Sequence, residues 1–229
     1  MNLNSKTLLA GAFAALLAVL PGIAEEKLVL DGSTTIGPIA KAFAEYYMAR
    51  NPDVNVTVSE SGSGNGVKSL LNGTCDIACL SRAMKENELE AAKEKSIDPV
   101  QHTVAFDGVP VIVHPSNPVK GLTRKQVADI YTGAIGNWKD VGGNDQPIIV
   151  VSRDTNSGTY ETFKELVLGK EGKIKAGAEY TGSNGGMRQR IQTTQGAIGF
   201  AGLGFVDQTV KALEIDGVAP SVETISDGT

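Results

Sequence analysis

Cysteine and histidine are scarce in this chain, which has two of each in 229 residues. Cys75 and Cys79 lie in an apolar stretch with the pattern of a buried strand. Four residues along a strand span about 13 Å, which is too far for a disulfide. His102 and His114 are the only histidines, so no zinc-ligand spacing exists. We therefore expect two buried free thiols, and neither a metal site nor a cofactor.

The chain also lacks the short motifs of common catalytic and nucleotide sites. It has no G-x-x-x-x-G-K-[ST] and no G-x-S-x-G, which argues against a P-loop and against a hydrolase nucleophile elbow. The segment Gly62-Ser63-Gly64-Asn65-Gly66 has the spacing G-x-G-x-G, one residue short of the dinucleotide fingerprint. These absences argue against an enzyme.

Charged residues are nearly absent from positions 1–24, where Lys6 is the only one. An apolar run from Leu8 to Leu20 is followed by Pro21-Gly22-Ile23-Ala24. A basic start, a short apolar run and a small-residue exit are typical of a secretory signal peptide, and the run is shorter than the roughly 20 residues that span a bilayer. We expect residues 1–24 to be removed on export. Because no cysteine stands at the cleavage point, we expect no lipid anchor.

The remaining residues have the composition of a water-soluble globular protein. The whole chain is 41% hydrophobic and 21% charged, with a formal net charge of -5. Loss of Lys6 with the signal peptide makes the mature protein slightly more acidic, which argues against nucleic acid or an anionic membrane as partner. An anionic ligand would therefore have to be held by local hydrogen-bond donors.

Strand and helix patterns alternate along the mature sequence. Apolar residues recur at helical spacing over Ile36–Arg50 and alternate over Val54–Val58 as in a strand. The other predicted strands are Lys27–Leu30, Asp76–Leu80, Val100–Ala105, Val109–Val113, Ile148–Ser152, Ala197–Ala201 and Val210–Ile215, and the other predicted helices are Gly64–Asn72, Lys85–Lys95, Thr123–Tyr131, Ser157–Leu168 and Asn184–Gln192. This alternation predicts an α/β fold of parallel sheets covered by helices.

Three of the predicted strand-to-helix junctions are rich in glycine and hydroxyl residues. They are Asp31-Gly32-Ser33-Thr34-Thr35-Ile36, Ser61-Gly62-Ser63-Gly64-Asn65-Gly66 and Ser152-Arg153-Asp154-Thr155-Asn156-Ser157-Gly158-Thr159, and a fourth corner is Ser81-Arg82. In parallel sheets, ligands bind beyond the carboxyl ends of the strands, where the N–H groups of helix N-termini favour anions. One such hydroxyl is more simply a helix cap. Three corners together, with Arg82 and Arg153 as guanidinium donors, predict an oxyanion site.

Longer motifs carry a family resemblance. They are, in order, Gly32-Ser33-Thr34-Thr35, Ser61-Gly62-Ser63-Gly64-Asn65-Gly66, Ser81-Arg82, Phe106-Asp107-Gly108-Val109-Pro110-Val111-Ile112-Val113, Ile130-Tyr131-Thr132-Gly133-x-Ile135-x-Asn137-Trp138 and Arg153-x-x-x-Ser157-Gly158-Thr159. Over residues 26–229 the chain resembles the PstS family, the phosphate-binding proteins of phosphate ABC transporters. The resemblance implies a periplasmic-binding-protein fold. In this fold two α/β lobes, each a mainly parallel sheet flanked by helices, hold the ligand in the cleft between them.

The resemblance also implies how the chain is divided. After the signal peptide, residues 25–107 are expected to form the first lobe and residues 108–205 the second, with Asp107-Gly108 as a pivot. Residues 206–229 are expected to cross back towards the first lobe. Because family members continue with further elements that return to that lobe, we expect the chain to be a fragment that lacks this return.

Contact residues for phosphate follow from the matching positions. From the first lobe they are Ser33, Thr34, Thr35, Ser63 and Ser81, and from the second they are Arg153, Ser157, Gly158 and Thr159. One branch of the family has an acidic residue directly after the third-corner serine, where it accepts the phosphate proton, but this chain has Arg82 there. Asp107 and Asp154 are therefore candidates for the proton acceptor. Arg82 either contacts the anion or forms a salt bridge beside it.

The expected function is capture of inorganic phosphate in the periplasm by a monomer, and delivery to inner-membrane ABC permease subunits without catalysis. Another oxyanion, namely sulfate, molybdate or tungstate, is an alternative ligand on the same fold. A secreted phosphatase or an adhesion protein on the same scaffold is a further alternative. A phosphatase needs a nucleophile with a base or a metal cluster, and the sequence has neither pattern.

Overall fold

The computed structural model describes residues 26–169 and 171–228. The predicted signal peptide, residues 1–24, lies outside these residues and stays a prediction. Within the described ranges, no helix is both long and apolar enough to cross a membrane. Cys75 and Cys79 are buried free thiols, as the sequence predicts.

The first sheet has three parallel strands. Strand β1 (Glu26–Gly32) lies between β2 (Val54–Ser59) and β3 (Ile77–Cys79). Helix α1 (Gly37–Met48) follows β1, α2 (Ser63–Leu71) follows β2 and α3 (Glu86–Glu94) follows β3. Because the strands are parallel, their carboxyl ends share one edge, and the corners at Ser33, Ser63 and Ser81 lie along it.

A glycine at the end of β1 permits this edge to form. Gly32 has φ +140°, and a Cβ on it would lie 2.1 Å from the backbone oxygen of Cys79. Any side chain would therefore push β1 and β3 apart and would require a backbone conformation that only glycine adopts readily. The next residue, Ser33, then donates its backbone N–H to the same Cys79 oxygen at 2.7 Å.

The second sheet has five strands in the order β7-β6-β8-β4-β9. The strands are β4 (Val111–Val113), β6 (Ile149–Arg153), β7 (Glu179–Thr181), β8 (Ala197–Phe200) and β9 (Lys211–Ala212), and a separate parallel pair joins β5 (Gly121–Leu122) to β10 (Glu214–Ile215). Strand β6 is parallel to β7 and β8, whereas β4 is antiparallel to β8 and β9. The carboxyl ends of β6, β7 and β8 therefore share one edge, as those of the first sheet do.

Apolar residues cover both faces of this second sheet. Alternate residues of β4 point to opposite faces, so that Val111 and Val113 join one buried cluster and Ile112 the other. The first cluster contains the stacked rings of Phe163 and Phe200, whose centroids are 4.0 Å apart. Helices α4 (Arg124–Thr132), α5 (Gly158–Phe163) and α6 (Asn184–Gln192) pack on the sheet. Burial of each large side chain here contributes about 1.5–3 kcal/mol to the free energy of folding. The sheet that carries the residues of the site is therefore well stabilised.

Several predicted elements differ from the structure. Val100–Ala105 forms no strand, and its apolar residues Val100 and Val104 are exposed, because no strand of the described residues lies beside them. The predicted helix Ser157–Leu168 is α-helical only over α5 and continues as a π-helical turn, Lys164–Leu168. Strands β5 and β7 and helix α7 (Val222–Asp227) were not predicted. Each has six residues or fewer, too short for a clear periodic pattern.

The segment after residue 205 also differs from its expected course. The sequence predicts that residues 206–229 cross back towards the first lobe, but β9 and β10 pair with strands of the second part of the chain. Beyond these strands, Ile225 of α7 lies against Gly108. We refer to residues 26–94, with the first sheet, as lobe I and to residues 111–215, with the second sheet, as lobe II.

Candidate anion-binding site

The glycine- and hydroxyl-rich corners of the two lobes meet face to face. Thr35 Oγ1 of lobe I lies 3.1 Å from Thr159 Oγ1 of lobe II. The backbone N–H of Gly64 in lobe I donates to the backbone oxygen of Asn156 in lobe II at 3.0 Å. Within lobe I, Ser63 Oγ lies 3.3 Å from Ser81 Oγ. We refer to this arrangement, in which the corners of the two lobes are in contact, as the closed state.

Most of the predicted contact residues are buried at this junction. Six of them expose 4% of their surface or less, namely Ser33, Thr34, Ser63, Arg153, Ser157 and Thr159. Gly158 is also buried, and Thr35, Ser81 and Arg82 are partly buried. Burying this many polar groups is unfavourable unless each finds a hydrogen-bond partner.

Some of these hydroxyls also cap backbone groups. Ser157 Oγ accepts from the Tyr160 N–H at 3.2 Å and is the N-cap of α5. Ser33 Oγ accepts from the Thr35 N–H at 3.1 Å. A hydroxyl that accepts in this way still has its own proton to donate, so capping and anion binding are compatible.

Gly158 lies where the two lobes approach each other closely. A Cβ at this position would lie 2.4 Å from Ser63 Oγ and 2.5 Å from Ser81 Oγ. Since a side chain cannot fit, the start of α5 presents bare backbone to the two hydroxyls. This places the N-terminus of α5 against two donors of the opposite lobe.

Arg153 lies at the end of β6 and is almost fully buried, with 1% of its surface exposed. Its Nε donates to the backbone oxygen of Thr181 at 3.0 Å, and its Nη1 donates to Asn184 Oδ1 at 3.1 Å. Its Nη2 donates to the backbone oxygen of Gly182 at 3.1 Å and to Thr34 Oγ1 at 3.4 Å. All four acceptors are neutral. Desolvation lowers the pKa of Arg153, and the nearby Asp154 carboxylate opposes this effect. Because arginine keeps its proton in proteins, the site contains a buried positive charge with neutral hydrogen-bond partners.

The two candidate proton acceptors are both engaged with backbone amides. Asp154 Oδ1 accepts from the Asn156 N–H at 3.0 Å. Asp107 Oδ1 accepts from the N–H groups of Gly108 and Leu203, each at 3.0 Å, and so connects two segments that are about 95 residues apart in sequence. Desolvation raises the pKa of Asp107, although both backbone hydrogen bonds act in the opposite direction.

Arg82 is bound to carboxylates. Its Nη1 and Nη2 each donate to a Glu88 oxygen at 2.8 Å, and its Nε is in salt-bridge contact with Glu161 of lobe II. Desolvation lowers the pKa of Arg82, but the two glutamates outweigh it and raise the pKa. Of the two roles that the sequence leaves open for Arg82, this geometry favours the salt bridge.

Sequence reasoning missed Asn184, the first residue of α6. Its side chain is fully buried and hydrogen-bonds to both lobes. The signal was present, because Gly182-Ser183-Asn184 is another glycine- and hydroxyl-rich corner between a strand and a helix. It was overlooked because the preceding strand, β7, has only three residues.

Neither a metal-binding cluster nor a histidine is found at the site among the described residues. In the part of the chain that the structure describes, no group of three or more histidine, cysteine, aspartate or glutamate residues could hold a metal ion. His102 is exposed and His114 is partly exposed, with its Nδ1 on Ser116 Oγ. The geometry is therefore that of a donor-lined cleft between two lobes.

Known proteins share this sequence and this fold. The family model for the PBP superfamily domain matches residues 21–229. Protein SphX of Synechococcus elongatus is 34% identical over 236 residues, an alignment that covers 96% of this chain and 70% of that protein. The phosphate-binding protein PstS of Bacillus subtilis is 34% identical over 209 residues, which cover 90% of this chain and 67% of that protein.

Solved structures agree with the sequence relatives. A phosphate ABC transporter substrate-binding protein from Clostridium perfringens, with bound phosphate, superposes with a TM-score of 0.81 at 37% identity, over 88% of this chain and 81% of that one. An ABC-type phosphate transport receptor from Vibrio cholerae gives a TM-score of 0.68 at 35% identity, with the same coverage of 88% and 81%.

Proposed function

Since the chain belongs to the PstS family of phosphate-binding proteins within the PBP superfamily, we propose that it captures inorganic phosphate between its lobes and delivers it to an ABC permease. The observation that carries the proposal is the buried guanidinium of Arg153, whose four hydrogen-bond acceptors are neutral. A buried cation whose hydrogen-bond acceptors are all neutral is unfavourable, and an anion that accepts a hydrogen bond from it reduces that cost. The Thr34 hydroxyl of lobe I lies 3.4 Å from Nη2 of the same guanidinium.

The two lobes would act together as a trap. Ser33, Thr34, Ser63 and Ser81 approach from lobe I, whereas Arg153 and the start of α5 approach from lobe II. An anion that contacts both sets binds the closed state better than an open one, so ligand binding favours closure. We propose that the lobes move relative to each other about Asp107-Gly108. This is the boundary that the resemblance to the PstS family implies.

We also propose that the protein acts without catalysis, as a monomer, in the periplasm after removal of residues 1–24. The named relatives that are substrate-binding proteins support the first point. The pattern of the first 24 residues supports export. Turnover of a chromogenic phosphate ester by the purified chain would contradict the non-catalytic role.

Calorimetric titration of the chain with phosphate, sulfate and molybdate tests the ligand. We expect phosphate to bind most tightly. Hydrogen phosphate carries a proton and gains from an acceptor, and the candidates for this role are Asp107 and Asp154. Sulfate or molybdate binding more tightly than phosphate would show that the site selects a fully ionised oxyanion, and no binding of any of the three would overturn the proposal.

A further inference from the structure

Asn184 connects Arg153 to the hydroxyl groups of lobe I. Its Oδ1 accepts from Arg153 Nη1 at 3.1 Å and from the Gly202 N–H at 3.3 Å. Its Nδ2 donates to Thr35 Oγ1 at 2.9 Å and to Thr34 Oγ1 at 3.2 Å. The side-chain amide thus uses two acceptor and two donor positions, which is its full capacity. An asparagine placed in this way is held in one orientation by its surroundings.

The hydrogen bonds around Thr34 determine whether its hydroxyl can donate to a ligand or accept from it. Thr34 Oγ1 lies within hydrogen-bond distance of three donors, which are Arg153 Nη2 at 3.4 Å, Asn184 N at 3.4 Å and Asn184 Nδ2 at 3.2 Å. A hydroxyl has two lone pairs and one proton. With its lone pairs facing donors, Thr34 has only its proton left to present. The hydroxyl therefore favours a ligand that accepts hydrogen bonds, such as an anion.

The neutrality of Asn184 matters as much as its geometry. An aspartate of the same shape would place a carboxylate on Arg153 Nη1 and would neutralise the guanidinium inside the protein. It would also repel an incoming anion at short range. The amide instead fixes the guanidinium and leaves its charge available to the cleft.

We propose that Asn184 is a positioning residue that makes the site specific for anions, because it orients Arg153 and Thr34 without compensating the charge of Arg153. This inference rests on the proposed function, since it assumes that the ligand is an oxyanion. It concerns the residues that prepare the site before the ligand arrives.

The first test replaces Asn184 by aspartate in the full chain and titrates the variant with inorganic phosphate. We expect the affinity to fall by about 10- to 1,000-fold, because an opposite charge within ~4–6 Å shifts an equilibrium by about 1–3 logarithmic units. Asn184→Ala removes the amide without adding charge, so its loss should be at least threefold smaller. Asn144→Asp adds the same charge on an exposed residue and should bind phosphate like the parent.

Two readouts separate this role from a structural one. The loss caused by Asn184→Asp, expressed relative to the parent at each pH, should shrink only as the pH falls below about 4, because the ion pair with Arg153 lowers the pKa at which the new carboxylate takes up a proton. Without phosphate, Asn184→Asp should melt no lower than Asn184→Ala, since it gives Arg153 a counter-charge. Affinity within twofold of the parent, or equal pH-independent losses in both variants, would overturn the proposal.

A double-mutant cycle covers the case in which Asn184→Asp does not fold. Asn184→Ala should weaken phosphate binding by a smaller factor in an Arg153→Gln background than in the parent, because the part of its effect that passes through Arg153 is then absent. An equal loss in both backgrounds would overturn the positioning role. If the parent itself binds no oxyanion, the proposed function fails. The melting temperatures of Asn184→Asp with and without Arg153→Gln then still decide whether the two side chains are coupled.

Discussion

Arg82 of lobe I and Glu161 of lobe II are in salt-bridge contact across the cleft. The side chains expose only 10% and 19% of their surface. Glu88 holds the other side of the Arg82 guanidinium with two hydrogen bonds of 2.8 Å, and Lys85 Nζ reaches the second oxygen of Glu161 at 2.7 Å. This cluster joins the two lobes independently of any ligand. It therefore contributes to the free energy of closure.

Glu161→Gln should weaken phosphate binding. Removing one partner leaves Arg82 with Glu88 alone and loses the charge pairing across the cleft. For a pair that is neither fully buried nor exposed we expect a cost of about 1–2 kcal/mol, which is roughly five- to thirtyfold in affinity. Calorimetry and the phosphate dissociation rate, at low and high salt, measure it.

The control for this variant is Asp129→Asn, which breaks a pair with Lys125 on the surface of α4 within one lobe. It should leave phosphate binding unchanged. Tighter binding by Glu161→Gln would mean that repulsion between the Glu161 carboxylate and the anion outweighs the contact with Arg82. Affinity within twofold of the parent would show that the cluster does not stabilise closure.

Local patterns in the sequence predicted much of the fold. The predicted and observed bounds of helix α6 are both Asn184–Gln192, and Thr123 caps α4 as expected, with its Oγ1 accepting from the Gln126 N–H at 3.1 Å. Both depend on residues within one or two helical turns. In the same way, the hydroxyl-rich corners at Ser33 and Ser63 can be recognised from the residues of each junction alone.

Long-range pairing could not be predicted in this way. The partner of Arg82, Glu161, is 79 residues further along the chain, and only closure of the lobes brings the two together. Val100–Ala105 has the pattern of a strand, but a strand also requires a neighbour, and the described residues provide none. The contacts of Asn184 with Thr34 and Thr35, about 150 residues earlier, likewise leave no trace in the local pattern, although the corner Gly182-Ser183-Asn184 itself can be recognised.

Arg153→Ala should weaken phosphate binding by about 2 kcal/mol or more, which is at least about thirtyfold, because it removes a charge-assisted donor from a dehydrated site. Calorimetry measures the loss, and a thermal melt without phosphate confirms that the variant folds. Arg190→Ala is the control, since Arg190 pairs with Glu179 at the surface of the same lobe. If Arg153→Ala binds phosphate with an affinity within twofold of the parent, Arg153 does not contact the ligand.

Gly158→Ala should abolish tight phosphate binding while the chain stays folded. The added methyl group would lie within 2.5 Å of the hydroxyl oxygens of Ser63 and Ser81, so the lobes could not close. Alanine is otherwise favourable at the start of a helix, and the open state should be at least as stable as in the parent. Small-angle scattering should show a larger radius of gyration than for the parent with phosphate.

The control for Gly158→Ala is Gly204→Ala, at a glycine where a Cβ would meet open space. This variant should bind phosphate like the parent. Suppose instead that Gly158→Ala binds phosphate like the parent and shows the same radius of gyration with phosphate. The lobes of the phosphate-bound protein would then lie further apart at Gly158 than they do in this structure.

Asp107→Asn should change how thermal stability depends on pH. Desolvation raises the pKa of Asp107 in the folded protein. A carboxyl group with a raised pKa favours folding in its protonated form, so its contribution is present below its ordinary pKa of about 3.9 and is lost as the pH rises through the raised value. The asparagine variant does not ionise, and its Oδ1 can still accept from Gly108 and Leu203. It should therefore melt at least as high as the parent at pH 7, with the difference vanishing near pH 3.5.

Asp207→Asn provides a control of opposite sign. Hydrogen bonds from the Thr209 side chain and backbone lower the pKa of Asp207, so its contribution to stability is present above the ordinary value and is lost as the pH falls through the lowered one. This variant should therefore melt below the parent at pH 7 and approach it in acid. A melting temperature of Asp107→Asn that falls below the parent at pH 7 would show that the Asp107 charge itself stabilises the folded chain. Phosphate titrations of Asp107→Asn also test Asp107 as the proton acceptor, because loss of phosphate binding with sulfate binding unchanged is expected only if its carboxylate receives the phosphate proton.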